Sequence, residues 1–134
     1  MGVPIASYGT NQKVAQELSE TLKPEYDVVH IALSTEAALA EIPAVASGDT
    51  GVVPSSGLGS NANADASARQ VPKALIFGGG ISAEEVGEVK SAVSAAAPDL
   101  KFISITHDEI EAAGGPTAEN IASVLKGKLG EAGL

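Results

Sequence analysis

The chain has no cysteine and no tryptophan, a single methionine, and only four aromatic rings: Tyr8, Tyr26, Phe77 and Phe102. Without cysteine there can be no disulfide, thiolate nucleophile, zinc–thiolate site or iron–sulfur cluster. The two histidines, His30 and His107, are too few for a histidine-rich metal site, so no metal is expected. With so few rings, core volume has to come from Val, Ile, Leu and many Ala. Alanine-rich helix faces approach a sheet closely, which suits a layered α/β fold.

Positive charge is also scarce. Eight bases face 17 acids, for a formal net charge of −9, and the bases are scattered, with Arg69 the one arginine. Neutralising a phosphate backbone needs a basic stripe, so no nucleic-acid partner is expected. An anionic membrane surface is disfavoured for the same reason. No run approaches the roughly 18 apolar residues of a spanning helix. The start of the chain is not a charged region followed by an apolar stretch, and Ala6 stands where a myristoylation motif needs Ser or Thr. The expectation is a soluble, acidic, cytoplasmic protein.

The 134 residues suit a single domain spanning 1–134. Four strand–helix units follow one another. The first strand is Val3–Tyr8, and the helix after it, about Gln12 to Leu22, carries Val14, Leu18 and Leu22 at i, i+4 and i+8. Thr10 or Asn11 is its expected cap, and Pro24 its stop. Tyr26–Leu33 is almost continuously apolar, as in a strand covered on both faces. Ser34 or Thr35 then caps a helix from about Glu36 to Ala46, with Leu39, Ile42 and Val45 inward. Pro43 is expected to kink that helix or end it early. Residues 47–72, rich in Gly, Ser and Pro and then in small polar residues, read as one long flexible surface loop. Lys73–Phe77 is the third strand. Ser82-Ala83-Glu84-Glu85 matches the capping box S-x-x-E and opens a helix to about Ala97. Lys101–Thr106 is the fourth strand, and Thr117–Leu129 the last helix.

This alternation implies right-handed crossovers and a small doubly wound parallel sheet of Rossmann or flavodoxin type, strand order 2-1-3-4, with helices on both faces. In such sheets ligands sit beyond the carboxyl ends of the strands, where the order reverses. Here that is between strands one and three, so the candidate ligand-binding residues are Gly9, Thr10 and Asn11 on one turn and Gly78, Gly79, Gly80 and Ser82 on the other. Both turns feed a helix N-terminus, where free N–H groups and the helix dipole favour an anion.

A dinucleotide is disfavoured. The turn after strand one, Gly9 to Val14, lacks G-x-G-x-x-G, and Ser34-Thr35 stand where an acid would hold a ribose. Gly57-Leu58-Gly59-Ser60-Asn61-Ala62 fits G-x-G-x-x-A as letters but follows no strand and opens no amphipathic helix. The arrangement resembles, in outline, a flavodoxin-like receiver domain. A receiver ends its third strand in an acceptor Asp, however, and this strand ends Phe77-Gly78; the acidic pair after the first strand is missing too. Phosphotransfer is therefore not expected. At the end of strand four, His107 and Asp108 are the catalytic candidates, an imidazole with a carboxylate beside it. Mid-strand, His30 reads as a satisfied core or edge histidine.

Three functions remain open on the sequence. The first is a module binding a small anionic or nucleotide-like ligand at the two turns. The second is a non-catalytic homodimeric interaction module, since strands two and four are sheet edges that must pair or be covered. The third is a small enzyme using His107 and Asp108.

Overall fold

The computed structural model describes the chain from Val3 to Leu134 except Thr10, Asn11, Pro24, Thr50, residues 66–68 and 78–81, Thr106 and Pro116, and except the side chains of Asn63 and His107. The order of elements is β1 (Val3–Tyr8), α1 (Gln12–Leu22), β2 (Tyr26–Ala32), α2 (Thr35–Ala46), α3 (Ser60–Asn63), β3 (Ala74–Phe77), α4 (Ala83–Ala96), β4 (Lys101–Ser104), α5 (His107–Ala112) and α6 (Ala118–Glu131). The four strands form one all-parallel sheet in the order β2-β1-β3-β4. This is the small doubly wound α/β architecture that the strand–helix alternation implies.

Side chains of the sheet alternate between two cores. One core joins Ile5, Val28, Ile31 and Ile76 to Leu18 of α1 and Leu125 of α6. The other joins Ala6, Tyr8, Leu75 and Phe77 to Ile42 of α2 and Val93 of α4. The first contains a single ring, Tyr26; the second has Tyr8, Phe77 and, half-buried, Phe102. Tyr8 and Phe77 meet edge-on, with centroids 6.1 Å apart at 71°, while Phe77 and Phe102 lie 6.0 Å apart at 30°. Lys90 Nζ lies 5.7 Å from the Phe77 centroid, so its stem covers the aromatic end of this core.

β2 carries one irregularity. Ile5 pairs with Val28 but Ala6 pairs with His30, so Val29 is an extra residue in the edge strand. The bulge resets the alternation: Val28 and Ile31 face the α1/α6 side, whereas Ala32 faces α2 and α4. An apolar run such as Tyr26–Leu33 hides this, because either face accepts Val.

α2 reaches the expected bound at Ala46, so Pro43 does not end it early. Proline removes one backbone hydrogen bond and strains the preceding turn, a cost of about 3 kcal/mol in a helix interior. Ile42 and Val45, fully buried on either side of it, offset that cost by holding the segment against the sheet. Leu39 is 36% exposed and not inward. The buried stripe is Ala38, Ile42, Val45 and Ala46, and Leu39 lies one residue, about 100° of helix, away from it.

The edges of the sheet are guarded differently. Along β2 runs the segment Pro54–Asn61. Ser56 Oγ donates to Ile31 O at 2.6 Å, Pro54 and Asn61 are buried, and Asn61 exchanges hydrogen bonds with the backbone of Gln70 at 2.9 and 3.0 Å. At β4, the strand is only four residues long and Lys128 Nζ donates to Ser104 O. A short strand and lysines near its edge are ordinary protections against unwanted pairing.

Candidate functional site

β1 and β3 run side by side in the same direction, and their last residues, Tyr8 and Phe77, are partners. The chain therefore leaves the sheet from adjacent points on the carboxyl rim. From there α1 packs on one face and α4 on the other. That divergence is what opens a crevice at a switch point. Of the candidate residues, Gly9 and Ser82 are described. Gly9 is half-buried, and its N–H donates to Ala32 O at 3.1 Å, extending the β1–β2 ladder by one residue. Ser82 is exposed and caps α4: its Oγ accepts from Glu85 N at 3.2 Å and donates to Glu85 Oε1 at 2.9 Å. Thr10, Asn11, Gly78, Gly79 and Gly80 lie outside the described residues.

Three residues that the sequence reading left out join this rim. The Tyr8 hydroxyl, fully buried at the end of β1, is hydrogen-bonded to Thr35 Oγ1, and Thr35 Oγ1 donates to Glu85 Oε2. With the Thr35 proton committed to the carboxylate, Tyr8 is the donor of the first bond. A Tyr–Thr–Glu–Ser chain thus ties the end of β1 to the first turns of α2 and α4. Hydrogen bonds from Thr35, then from Ser82, hold the Glu85 carboxyl below its usual pKa against a smaller opposing effect of desolvation. Thr35 stands in the Ser34-Thr35 pair where an acid was sought. The carboxylate beside Thr35 is that of Glu85, 50 residues away in sequence.

The helix N-termini at this end differ in charge. α2 has Glu36 in its first turn, α4 has Glu84 and Glu85, and α6 has Glu119. α1 has no acid there and carries Lys13 at its second position. Its dipole is the one among these long helices that no carboxylate offsets.

A second polar cluster lies on β2. His30 is fully buried, and its Nε2 is 2.9 Å from Glu41 Oε1, which also accepts from Ser55 N at 3.2 Å. The reading of His30 as satisfied holds for one ring nitrogen: Nδ1 has no partner among the described residues, nor has the buried Oδ1 of Asp27. Burial pushes the His30 pKa down, outweighing the hydrogen bond and charge of Glu41. Burial acts to raise Glu41, but the bonds from Ser55 and His30 together hold it below its usual value. Both shifts describe a neutral imidazole donating Nε2–H to a carboxylate.

His107 opens α5 and its side chain lies outside the description; Asp108, beside it, is exposed. Among the described residues no group of three or more His, Cys, Asp or Glu is placed to hold a metal, and no helix is long and apolar enough to cross a membrane. Two described cavities lie away from the rim. One, of about 480 Å³, is at the amino ends of β3 and β4, beside Lys73, Pro98 and Lys101. The other, of about 360 Å³, lies between α1 and Gly57–Ser60, with Glu20, Lys23 and Asp27 on its walls.

No family model matches the chain, and no solved structure matches it. Among curated proteins it is similar to "Kojic acid related protein 6" of Aspergillus oryzae, 31% identical over 103 residues. The match takes in 77% of this chain and 57% of that protein, so the chain spans little more than half the relative's length.

Proposed function

We infer that the chain binds a small anionic or nucleotide-like ligand at the carboxyl ends of β1 and β3, with catalysis no part of the inference. The observation that carries this reading is the parallel partnership of Tyr8 with Phe77, with α1 and α4 leaving to opposite faces. The distribution of acids refines it. α4 already has Ser82 and two glutamates at its start, so an anionic group is better accommodated at the start of α1, near Gly9 and Lys13. Glu85, with its neighbouring hydroxyls, would then face a neutral, hydroxylated part of the same ligand. A cytoplasmic setting belongs to the same inference and rests on the cysteine-free, acidic composition.

The other two readings have less behind them. A homodimer built through a sheet edge must contend with the segment lying on β2 and with Lys128 at β4. An enzyme built on His107 and Asp108 would rest on an exposed carboxylate.

The test is a thermal-shift panel of inorganic phosphate, AMP and simple sugar phosphates. Kojic acid joins the panel because the curated relative is named for it. A ligand at a hundred times its Kd adds about 2.7 kcal/mol, which at this size raises Tm by roughly 10 °C. Lys13→Glu, an exposed change, is expected to cancel the shift given by the anionic members. No shift with any anionic member, or equal shifts in Lys13→Glu, would defeat the reading.

A further inference from the structure

His30 and Glu41 take no part in the proposed ligand site, yet they hold the segment that covers the open side of the sheet. Residues 54–59 have no helix or strand of their own. Pro54 is buried and Leu58 packs against the core on the α1/α6 side, and the polar attachments are few and specific. Ser55 N donates to Glu41 Oε1 at 3.2 Å, and Ser56 Oγ donates to Ile31 O at 2.6 Å while accepting from Leu58 N at 3.2 Å. Gly59 lies so close to β2 that a Cβ there would meet Val29 O at 2.5 Å and His30 N at 2.9 Å. Glu41 is thus one acceptor serving two elements, buried His30 on β2 and Ser55 on the covering segment.

We propose that this segment is an acid-releasable strap: protonation at the His30–Glu41 pair detaches residues 54–59 from the edge of β2 while the rest of the sheet stays folded. The chemistry follows from the tautomer. Neutral His30 uses its one N–H, on Nε2, toward Glu41, which leaves Nδ1 a buried acceptor with no partner among the described residues. A proton added at Nδ1 creates a second donor that those residues do not satisfy, and burying such a donor is costly. The ring can take the proton only if water reaches it. Of the parts around it, β2 is paired along β1, and α2 is anchored by Ile42 and Val45. The strap has no helix or strand ladder of its own, so it is the part expected to open first.

The charged groups around His30 are few. β1 (VPIASY), residues 54–59 and α3 (SNAN) contain none; α2 contributes Glu36 and Glu41, and β2 itself contributes Asp27. The sign is therefore set by His30 with Glu41 behind it. The closed form binds fewer protons than the open form wherever the closed His30 pKa lies below the ordinary value of about 6.5. The closed strap is thus fully favoured above that value and loses ground as pH falls through it. Glu41, also depressed when closed, adds to the loss below the ordinary glutamate range.

Amide hydrogen exchange on the full chain, read by mass spectrometry between pH 7.5 and pH 5 and corrected for the intrinsic pH dependence of exchange, tests this. Protection of residues 55–59 is expected to fall at least tenfold over that range while β1 and β3 amides keep theirs. His30→Gln, which cannot titrate, is expected to abolish that pH dependence. Glu41→Ala is expected to leave 55–59 unprotected even at pH 7.5. The proposal is overturned if 55–59 keeps its protection at pH 5, if it opens only together with β1 and β3, or if His30→Gln shows the wild-type profile.

Discussion

Gly59→Ala is the sharpest test of how the segment between α2 and β3 sits on the sheet. Gly59 has φ +101° and ψ +152°, a region that essentially only glycine occupies, and a residue with a Cβ held there costs on the order of 1–3 kcal/mol. The added methyl would also stand 2.5 Å from Val29 O, 2.8 Å from Val29 C and 2.9 Å from His30 N. All three are backbone atoms, at the bulge residue Val29 and its neighbour His30, in a strand paired with β1 on both sides of the bulge, so they cannot swing aside as a side-chain tip would. Forced overpacking adds about 1–3 kcal/mol. The sum is about 4 kcal/mol, at the middle of the combined range of roughly 2–6 kcal/mol, and roughly 14 °C in Tm at this size. Gly57→Ala is the control. Its φ is also positive, +75°, but a Cβ there meets nothing within 4 Å, so backbone strain alone applies, about 1 kcal/mol. Urea unfolding of both variants, with unchanged m-values, measures the difference. Equal losses in the two, within about 0.5 kcal/mol, would mean that Gly59 is not pressed against β2 and that the docking described for residues 54–61 is wrong.

Other outcomes follow from single contacts. Ile42→Ala, fully buried where α2 meets the sheet, is expected to cost about 2–5 kcal/mol in the same urea assay. A loss under about 1 kcal/mol would contradict its role in carrying the helix past Pro43. Ser82→Ala removes the cap of α4 and is expected to cost about 1 kcal/mol, and retained stability would show that the helix start is held by something else. Thr35→Val is expected to move the Glu85 carboxyl back up toward its usual pKa, read by NMR titration. Because Glu85 is depressed in the fold, its contribution is present above the usual glutamate value and fades as pH falls. The variant should flatten that acid limb, and an unmoved Glu85 would refute the Tyr8–Thr35–Glu85 chain.

The alternation of the four strands with the four long helices, their bounds within about two residues, and the inward stripe of α1 are legible in the residues themselves, whereas α3 and α5 are not. Periodicity records which side of an element is buried, and a cap such as Ser82 acts within one turn of its own position. The strand order is nearly as accessible, because chirality and short connections leave few ways to lay four parallel strands. What tertiary structure alone decided are the meetings of distant polar groups: Glu85 with Thr35 across 50 residues, Lys128 with Ser104 across 24, and buried His30 with Glu41 and Ser55 at the edge of β2. Leu39 turning outward and the extra Val29 in β2 belong with them. Such contacts leave no periodic trace. A polar pair is set by the register and rotation of two packed elements to within about an ångström, and local hydrophobic pattern constrains neither that closely.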